Sequence, residues 1–394
     1  MARGGPDLKY CEDATFWDLL DGSGNFVDRA LLLSCDSNRK SWNTVMGPLR
    51  NPEPRGSLWL HRPEGKGKDG KPNPSRLKRL ELEGYPEGHD FHPLGVEVYP
   101  SYAGNTSNLY IVNHARARTV IEQFTLSPSS PTVAHYVRTI ASPYFHSANA
   151  LALTSPDSFY VTNDHLFTRR LPYVGHILPV LESVFGIPLS FVSHITLSPP
   201  SSSDPPILAH QFSTIFVPLP NGIAVSPDGN HVALASTALG HIRIYERNPT
   251  TNELTRLQKT VYVPMLPDNI RYTHDGSALI VTGHPHFPTL IAVATNKTEF
   301  APSWVISIDI TGANQPVVEF DMGAPVSARG KVPPVAGFEV KTLFQSDGTG
   351  FSSSSTGLLD PISRALYVTG LYAEDGVLVC RPSKSSGVCS SCIS

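Results

Sequence analysis

A chain of 394 residues with net charge −3 and a pI near 6.6 carries no basic field to gather nucleic acid or an anionic membrane. Gly 30 and Pro 36 against only 16% charged residues exclude a mainly helical protein, and a 40% apolar share excludes wholesale disorder. Cys 5 in this length makes no disulfide scaffold, and no run of ~18 apolar residues is present to form a membrane helix.

The opening MARGGPDLKYCED is polar and lacks the apolar core of a signal peptide. Two readings stay open: a chain kept inside the cell, or one that begins downstream of a leader. CEDATFWDLL and RALLLSC follow as two strands, and Cys11 and Cys35 fall on these neighbours as candidates to pair. GKGKDGKPNPSRLK, inside a polar loop over 63–78, is a solvated excursion.

From Leu94 onward one pattern recurs. It reads LGVEVYPSYAGNTSNLYIVNH from Leu94, NALALTSPDSFYVTND from Asn149, NGIAVSPDGNHVALAST from Asn221, DNIRYTHDGSALIVTGH from Asp268 and TGLLDPISRALYVTG from Thr356. Each copy runs strand, tight turn, strand. A third alternating strand fits TVIEQFTL, HIRIYERN and TLIAVAT. The two opening strands supply a sixth unit, expected to straddle the termini. Six sheets too small to bury their own faces close radially, which predicts an all-β fold, a six-bladed β-propeller over residues 1–382. A β-sandwich or two stacked β domains is the alternative architecture. An apolar stretch over 168–206, containing LPYVGHILPVLESVFGIPLSFV, is an insertion that serves as a lid or as extra core. The Ser/Cys tail over 383–394 is expected to be disordered.

In a propeller, one position of every repeat meets its counterparts at the axis. That position holds Glu12, Leu94, Asn149, Asn221, Asp268 and Thr356, with Asn269 beside Asp268. Two carboxylates and three amides crowded in a tunnel would be costly without a cation. All-oxygen donors select calcium, whereas zinc would want His or Cys there. The second strands end in VNH (His114), TNDH (Asn163, Asp164, His165), AST and GHPH (His284), forming a rim where His114 and His284 can serve a reaction. No GxSxG, Walker, HExxH or GxGxxG motif is present; Cys389 and Cys392 form a lone C-x-x-C, and Asn105 and Asn296 head N-x-[ST] sequons.

The stretches CED, FHPLGV, LYIVNHARARTVIEQF, FYVTNDHLF, PNGIAVSPDG, HIRIYER, PDNI and GHPH, with LYVTGLYAEDGVLVC near the end, resemble the paraoxonase/arylesterase family of calcium-dependent lactonases and esterases. The resemblance implies a catalytic calcium (Ca2+) on Glu12, Asn149, Asn221, Asp268 and Asn269. It implies a second, structural calcium on Asp13 and the carbonyl of Val96, whose third ligand position is Ala150 here. Of the family's histidine pair, His114 is kept and the partner position is Leu94. His92 lies two residues earlier on the same strand face, about 6–7 Å away, so a two-histidine relay is not expected unless His92 swings in. The family's last-strand cysteine is Cys380, without its usual N-terminal partner. The 171–192 segment falls where the family has a helix covering the site and touching lipid, and the family is often secreted or membrane-associated.

The expected function is therefore calcium-dependent hydrolysis of a lactone or of an aryl or apolar ester, with His114, Glu12 or Asp268 as base and His284 in the pocket. Two other classes stay open: a repurposed propeller enzyme of secondary metabolism with gluconolactonase- or strictosidine-synthase-like chemistry, and a non-catalytic ligand-binding propeller.

Overall fold

A computed structural model describes residues 6–62, 77–311, 338–382 and 389–393. Six small sheets follow one another around an axis, making a six-bladed β-propeller. The inner strands are Cys11–Leu20, Pro93–Val98, Ala148–Ser155, Pro220–Val225, Leu266–Tyr272 and Ser354–Leu359. Each is followed outward by antiparallel neighbours. The fourth blade is the plainest: Pro220–Val225, His231–Ser236, His241–Arg247 and Leu254–Tyr262, in that order.

The blades alternate apolar residues on both faces because each has a neighbour on both sides. The result is one buried cluster per blade interface. Trp17, Leu32, Val96 and Ile111 join blades one and two. Ile242, Ile244, Ile270 and Trp304 join blades four and five. Leu31, Leu33, Leu358 and Tyr367 close the ring between one and six. Truncating any of these aliphatic side chains to alanine is worth about 2–5 kcal/mol.

Three sequence expectations are corrected. No blade straddles the termini: the first takes Cys11–Leu20, Phe26–Cys35, Ser57–His61 and Leu77–Arg79, all N-terminal, while the sixth is built from residues after 353. Ring closure instead comes from contacts such as the Tyr10 amide to the Ala373 carbonyl, 2.8 Å. TLIAVAT is not a strand. It belongs to helix α2 (Phe287–Ala294), started by Pro288 in its first turn and seated by Leu290 and Val293 at helical spacing. The tail is not wholly without order, since Cys389–Ile393 pairs with Leu378–Pro382 as the last outer strand. The rest of the tail and residues 63–76 of the polar loop lie outside the described residues. Cys11 and Cys35, opposite each other on adjacent strands, are disulfide-bonded.

The apolar insertion is shorter than 168–206, because Ser190–Leu197 is already the third strand of its blade. Before it stands helix α1 (Leu178–Phe185), with Pro179 in the first turn and Gly186 ending it in the left-handed conformation at φ 58°. The Glu182 carboxylate pins α1 by accepting the amides of Leu166 and Phe167 and the Ser190 hydroxyl, at 2.9, 3.1 and 3.0 Å.

One feature common to all blades positions the site. Every inner strand breaks register with its neighbour near its start: Cys11/Asp13, Pro93/Val96, Ala148/Leu151, Pro220/Ile223, Pro267/Ile270 and Ser354/Thr356. These are β-bulges, which re-aim the residues they contain. Five of the six bulges bracket the residue expected at the axis; in the sixth blade the bracketed residue is Ser355, and Thr356 pairs at its edge. Gly95 and Gly222 sit beside the axial residue of their blades because the inner strands come so close there: a Cβ would lie 2.3 Å from the Asn149 carbonyl at the first and 2.6 Å from the Asp268 carbonyl at the second.

Candidate active site

The bulges bring Glu12, Asn149, Asn221 and Asp268 to one cavity of about 480 Å³, with Leu94 and His284. Asn269 joins them by donating its amide to Glu12 Oε1 at 3.0 Å and to the Thr356 hydroxyl at 2.9 Å. The Asn149 amide is likewise turned outward, donating to Asp164 Oδ2 at 3.3 Å. In both asparagines the nitrogen is tied back and the carbonyl oxygen is freed. Four buried oxygens are then left without any partner: Glu12 Oε2, Asn149 Oδ1, Asn221 Oδ1 and Asn269 Oδ1.

Four unpaired acceptors in one buried cluster cost several kcal/mol together, since amide oxygens and an ionised carboxylate can only accept. Burial, and then the charges of Asp268 and Asp13, push the Glu12 carboxyl well above the ordinary carboxylate range. A hard cation would supply the missing partner for such oxygens, and carboxylate with amide carbonyl suits calcium. These residues therefore fit the ion that the sequence led us to expect. The set is amide-rich; among the described residues no group of three or more His, Cys, Asp or Glu side chains converges as an ion site.

The second expected calcium does not fit. Asp13 is already saturated: its carboxylate accepts the Ala14 amide at 2.8 Å, the Val96 amide at 3.0 Å and the Thr356 hydroxyl at 2.9 Å. Arg271 then places Nη2 3.0 Å from Asp13 Oδ1 and 3.1 Å from Glu97 Oε1. Ala150 offers no side-chain oxygen. A guanidinium of this chain holds the position where the resemblance implied a metal on Asp13 and Val96. Glu97, buried beside it, has its pKa raised to about 7 by desolvation, with Arg271 pulling the other way.

The histidines divide. His114 Nε2–H donates to the Ala148 carbonyl at 2.8 Å, so its Nδ1 accepts the Thr44 hydroxyl, also at 2.8 Å. Burial first, then Arg170, lower its pKa to about 4. With both nitrogens engaged and the ring held neutral, His114 braces two blades; it has no lone pair left for a reaction. His284 Nε2 lies 2.9 Å from Asp268 Oδ2 and orients that ring carboxylate. His165, on the rim, bonds the Ser183 hydroxyl of α1 at 2.6 Å. Burial opposes its charge, but Asp164, 3.2 Å away, raises its pKa.

Above the ring the walls are apolar: Leu94, Val184, Leu219, Leu266, Leu290 and Ile291. Helices α1 and α2 contribute three of these, from two insertions on one rim. Sequence reasoning missed the α2 wall and Asp36, and it weighed His92 only as a distant relay partner of His114; Asp36 and His92 form a buried pair that also lines the cavity. FHPLGV contained the signal for His92, but Asp36 stands in a non-repeating loop that no repeat alignment reaches.

The fold and this axial mouth define a propeller with a buried cluster of unpartnered oxygens under an apolar chamber. The Arylesterase family model matches residues 50–322, and the chain belongs to that family. Glu12 and Thr356 lie outside the matched range. Serum paraoxonase/lactonase 3 of Homo sapiens is 28% identical over 211 residues, 54% of this chain and 54% of its own length. Serum paraoxonase/arylesterase 1 of Homo sapiens is 30% identical over 196 residues, 50% of each. The chain thus spans about half the length of the curated relatives it matches. Among solved structures, the periplasmic gluconolactonase of Pseudomonas aeruginosa covers 96% of this chain, with 84% of its own length matched, at 12% identity and a TM-score of 0.46.

Proposed function

We propose that this protein is a calcium-dependent hydrolase of lactones or of aryl and apolar esters. The carrying observation is the cluster of four buried, unpartnered acceptor oxygens opening on an apolar cavity. Glu12, Asn149, Asn221, Asp268 and Asn269 would hold the calcium. When bound, that ion supplies positive charge to polarise a substrate carbonyl. The chain's own residues do the remainder. Leu94, Leu219, Leu266 and Leu290 receive the apolar part of the substrate, and α1 and α2 keep bulk water from the chamber. His284 fixes Asp268, and Asp164 fixes Asn149, so both ligands are orientated before a substrate enters. An apolar chamber with one polar floor selects a neutral carbonyl compound over a charged one.

The relatives' names, paraoxonase, lactonase and arylesterase, support the same reading. The test is hydrolysis of γ- and δ-lactones and phenyl acetate with calcium and with EDTA, with Asn221→Ala alongside. Turnover that needs calcium and disappears in Asn221→Ala is expected; turnover unaffected by EDTA would remove the ring from the reaction.

A further inference from the structure

The hydrolase reading needs an acceptor for the proton of the attacking water, and His114 has both ring nitrogens hydrogen-bonded to protein. We propose that His92, held by Asp36, is the general base. This rests on the hydrolase reading and adds a residue that neither the repeat position nor the rim supplied.

The pair is built for that task. His92 Nδ1 lies 3.0 Å from Asp36 Oδ2, and both side chains are almost fully buried, at 2% and 1% exposure. A carboxylate only accepts, so the imidazole hydrogen sits on Nδ1 and the lone pair on Nε2. That Nε2 has no partner although it is buried. The ring packs beside Trp42, 5.6 Å between ring centroids at an interplanar angle of 31°. Its backbone is fixed on both sides, the amide donating to Asn113 Oδ1 at 2.8 Å and the carbonyl accepting from the His114 amide at 3.0 Å. Asp36 is fixed in turn, accepting the Asn38 amide at 2.9 Å.

His92 and Asp36 line the same cavity as Glu12, Asn149, Asn221 and Asp268. A carboxylate and an imidazole with a defined tautomer and an unpartnered nitrogen, on a residue that lines the chamber, form the orienter-and-base arrangement of hydrolytic catalysis. The other candidates belong to the ring or to protein partners. Glu12 and Asp268 would hold the ion, and His114 uses both nitrogens on protein partners. His284, whose Nδ1 is also buried without a partner, is bonded through Nε2 to Asp268, a carboxylate of the ring itself, whereas His92 has a carboxylate outside the ring. Leu94 is consistent with this assignment, since it leaves an apolar wall at the repeat position and the imidazole two residues away.

The step balances without any further reactant. The water oxygen forms a bond to the carbonyl carbon as one water proton passes to His92 Nε2. The tetrahedral adduct then breaks its carbon–oxygen bond to the leaving group. That oxygen takes the proton back from Nε2, giving the alcohol and a carboxylic acid, and leaving His92 neutral with its hydrogen on Nδ1. Asp36 is a positioning residue throughout and exchanges no proton.

The experiment compares wild type, His92→Gln and Asp36→Asn on phenyl acetate and a δ-lactone, with calcium affinity measured by titration calorimetry on each. His92→Gln keeps a donor for Asp36 but removes the basic nitrogen. Its kcat is expected to fall by about 10²–10⁴-fold, with KM and calcium affinity within a factor of about three of wild type. Asp36→Asn lets Nδ1 keep the lone pair instead, so its kcat is expected to fall by at least ~10²-fold with KM and calcium affinity also unchanged. If His92→Gln retains more than a third of wild-type kcat, the assignment is wrong while the hydrolase reading stands. If wild type itself turns over neither substrate with calcium bound, the hydrolase reading falls and the assignment falls with it. Should His92→Gln fail to bind calcium, Asp36→Asn decides: wild-type kcat in that variant overturns the proposal.

Discussion

Two carboxylate clusters share the inner strands of this propeller, and they are neutralised differently. Near the strand starts, Glu12 and Asp268 stand among three asparagines whose oxygens have no protein partner. One turn of the pleat further on, Asp13 and Glu97 share the guanidinium of Arg271. Glu12 and Asp13 are adjacent in sequence and, being on a strand, face opposite ways. The same tripeptide thus feeds an open cluster and a closed one. The closed cluster is structural, because both of its carboxylates are bonded to one guanidinium of the chain. The open one keeps its acceptors for something that is not protein. His114 and His92 repeat the contrast: one imidazole has spent both nitrogens and the other has kept one.

The comparison breaks hardest at Arg271. Arg271→Met leaves two buried carboxylates without their cation, and removing one partner of a buried pair costs about 3–5 kcal/mol. Urea unfolding should show a loss of that size, while Asn221→Ala, measured without calcium, should lose far less because its oxygen had no partner to lose. Equal losses in the two variants would mean that the clusters are not different in kind.

His114 offers the next test, through pH. Its folded pKa is about 4 against 6.5 for the exposed side chain. The unfolded chain therefore takes up a proton first as pH falls. Stability is complete above pH 6.5 and declines toward pH 4, by roughly 3 kcal/mol for this one group. His194 and His241, also lowered to about 4 by burial, add to the same slope. Unfolding free energy measured from pH 7 to pH 4 should be less steep in His114→Gln than in wild type. Identical slopes would mean that His114 is charged in the folded protein.

Calcium sharpens the contrast at somewhat lower energy. One ion per chain is expected by elemental analysis, because Arg271 holds the second position. At a hundred times its Kd that ion should add about 2.7 kcal/mol of stability, seen as a rise in Tm that EDTA reverses and that Asn221→Ala lacks. Two ions per chain would show that Asp13 can exchange its guanidinium for a metal.

The ring was readable from sequence because it repeats. Asn149, Asn221 and Asp268 each open a copy of one pattern, so a single alignment finds them all, and the bulges that aim them are as regular. Arg271 was not readable: an arginine alternating along a strand reads as a solvent-facing residue, and only the closed ring shows that it points inward at Asp13. Asp36 and His92 are 56 residues apart in sequence and belong to different blades. TLIAVAT was read as a strand because apolar residues alternate in it, whereas Pro288 and the burial of Leu290 and Val293 fit a helix. Repeats locate what the fold makes six times; the insertions that wall the chamber have no such register.

The smallest expected effect is at the lid. Helix α1 rests on the rim through the Ser183 hydroxyl, which bonds His165 Nε2 at 2.6 Å and the Pro179 carbonyl at 2.9 Å. Val180 and Val184 of the same helix line the chamber, and these two, with Leu181 and Phe185, are exposed. Ser183→Ala removes the bond to His165 and leaves Glu182 to hold α1 alone, at a cost of about 1 kcal/mol. Because the loss is local, global unfolding should move little, and hydrogen exchange should quicken over residues 164–186 and not in the blades. KM for an apolar ester should rise with kcat held, since the lid bounds the chamber without touching the reacting atoms. Faster exchange in the inner strands as well would mean that the insertion is part of the blade core and not a cover laid upon it.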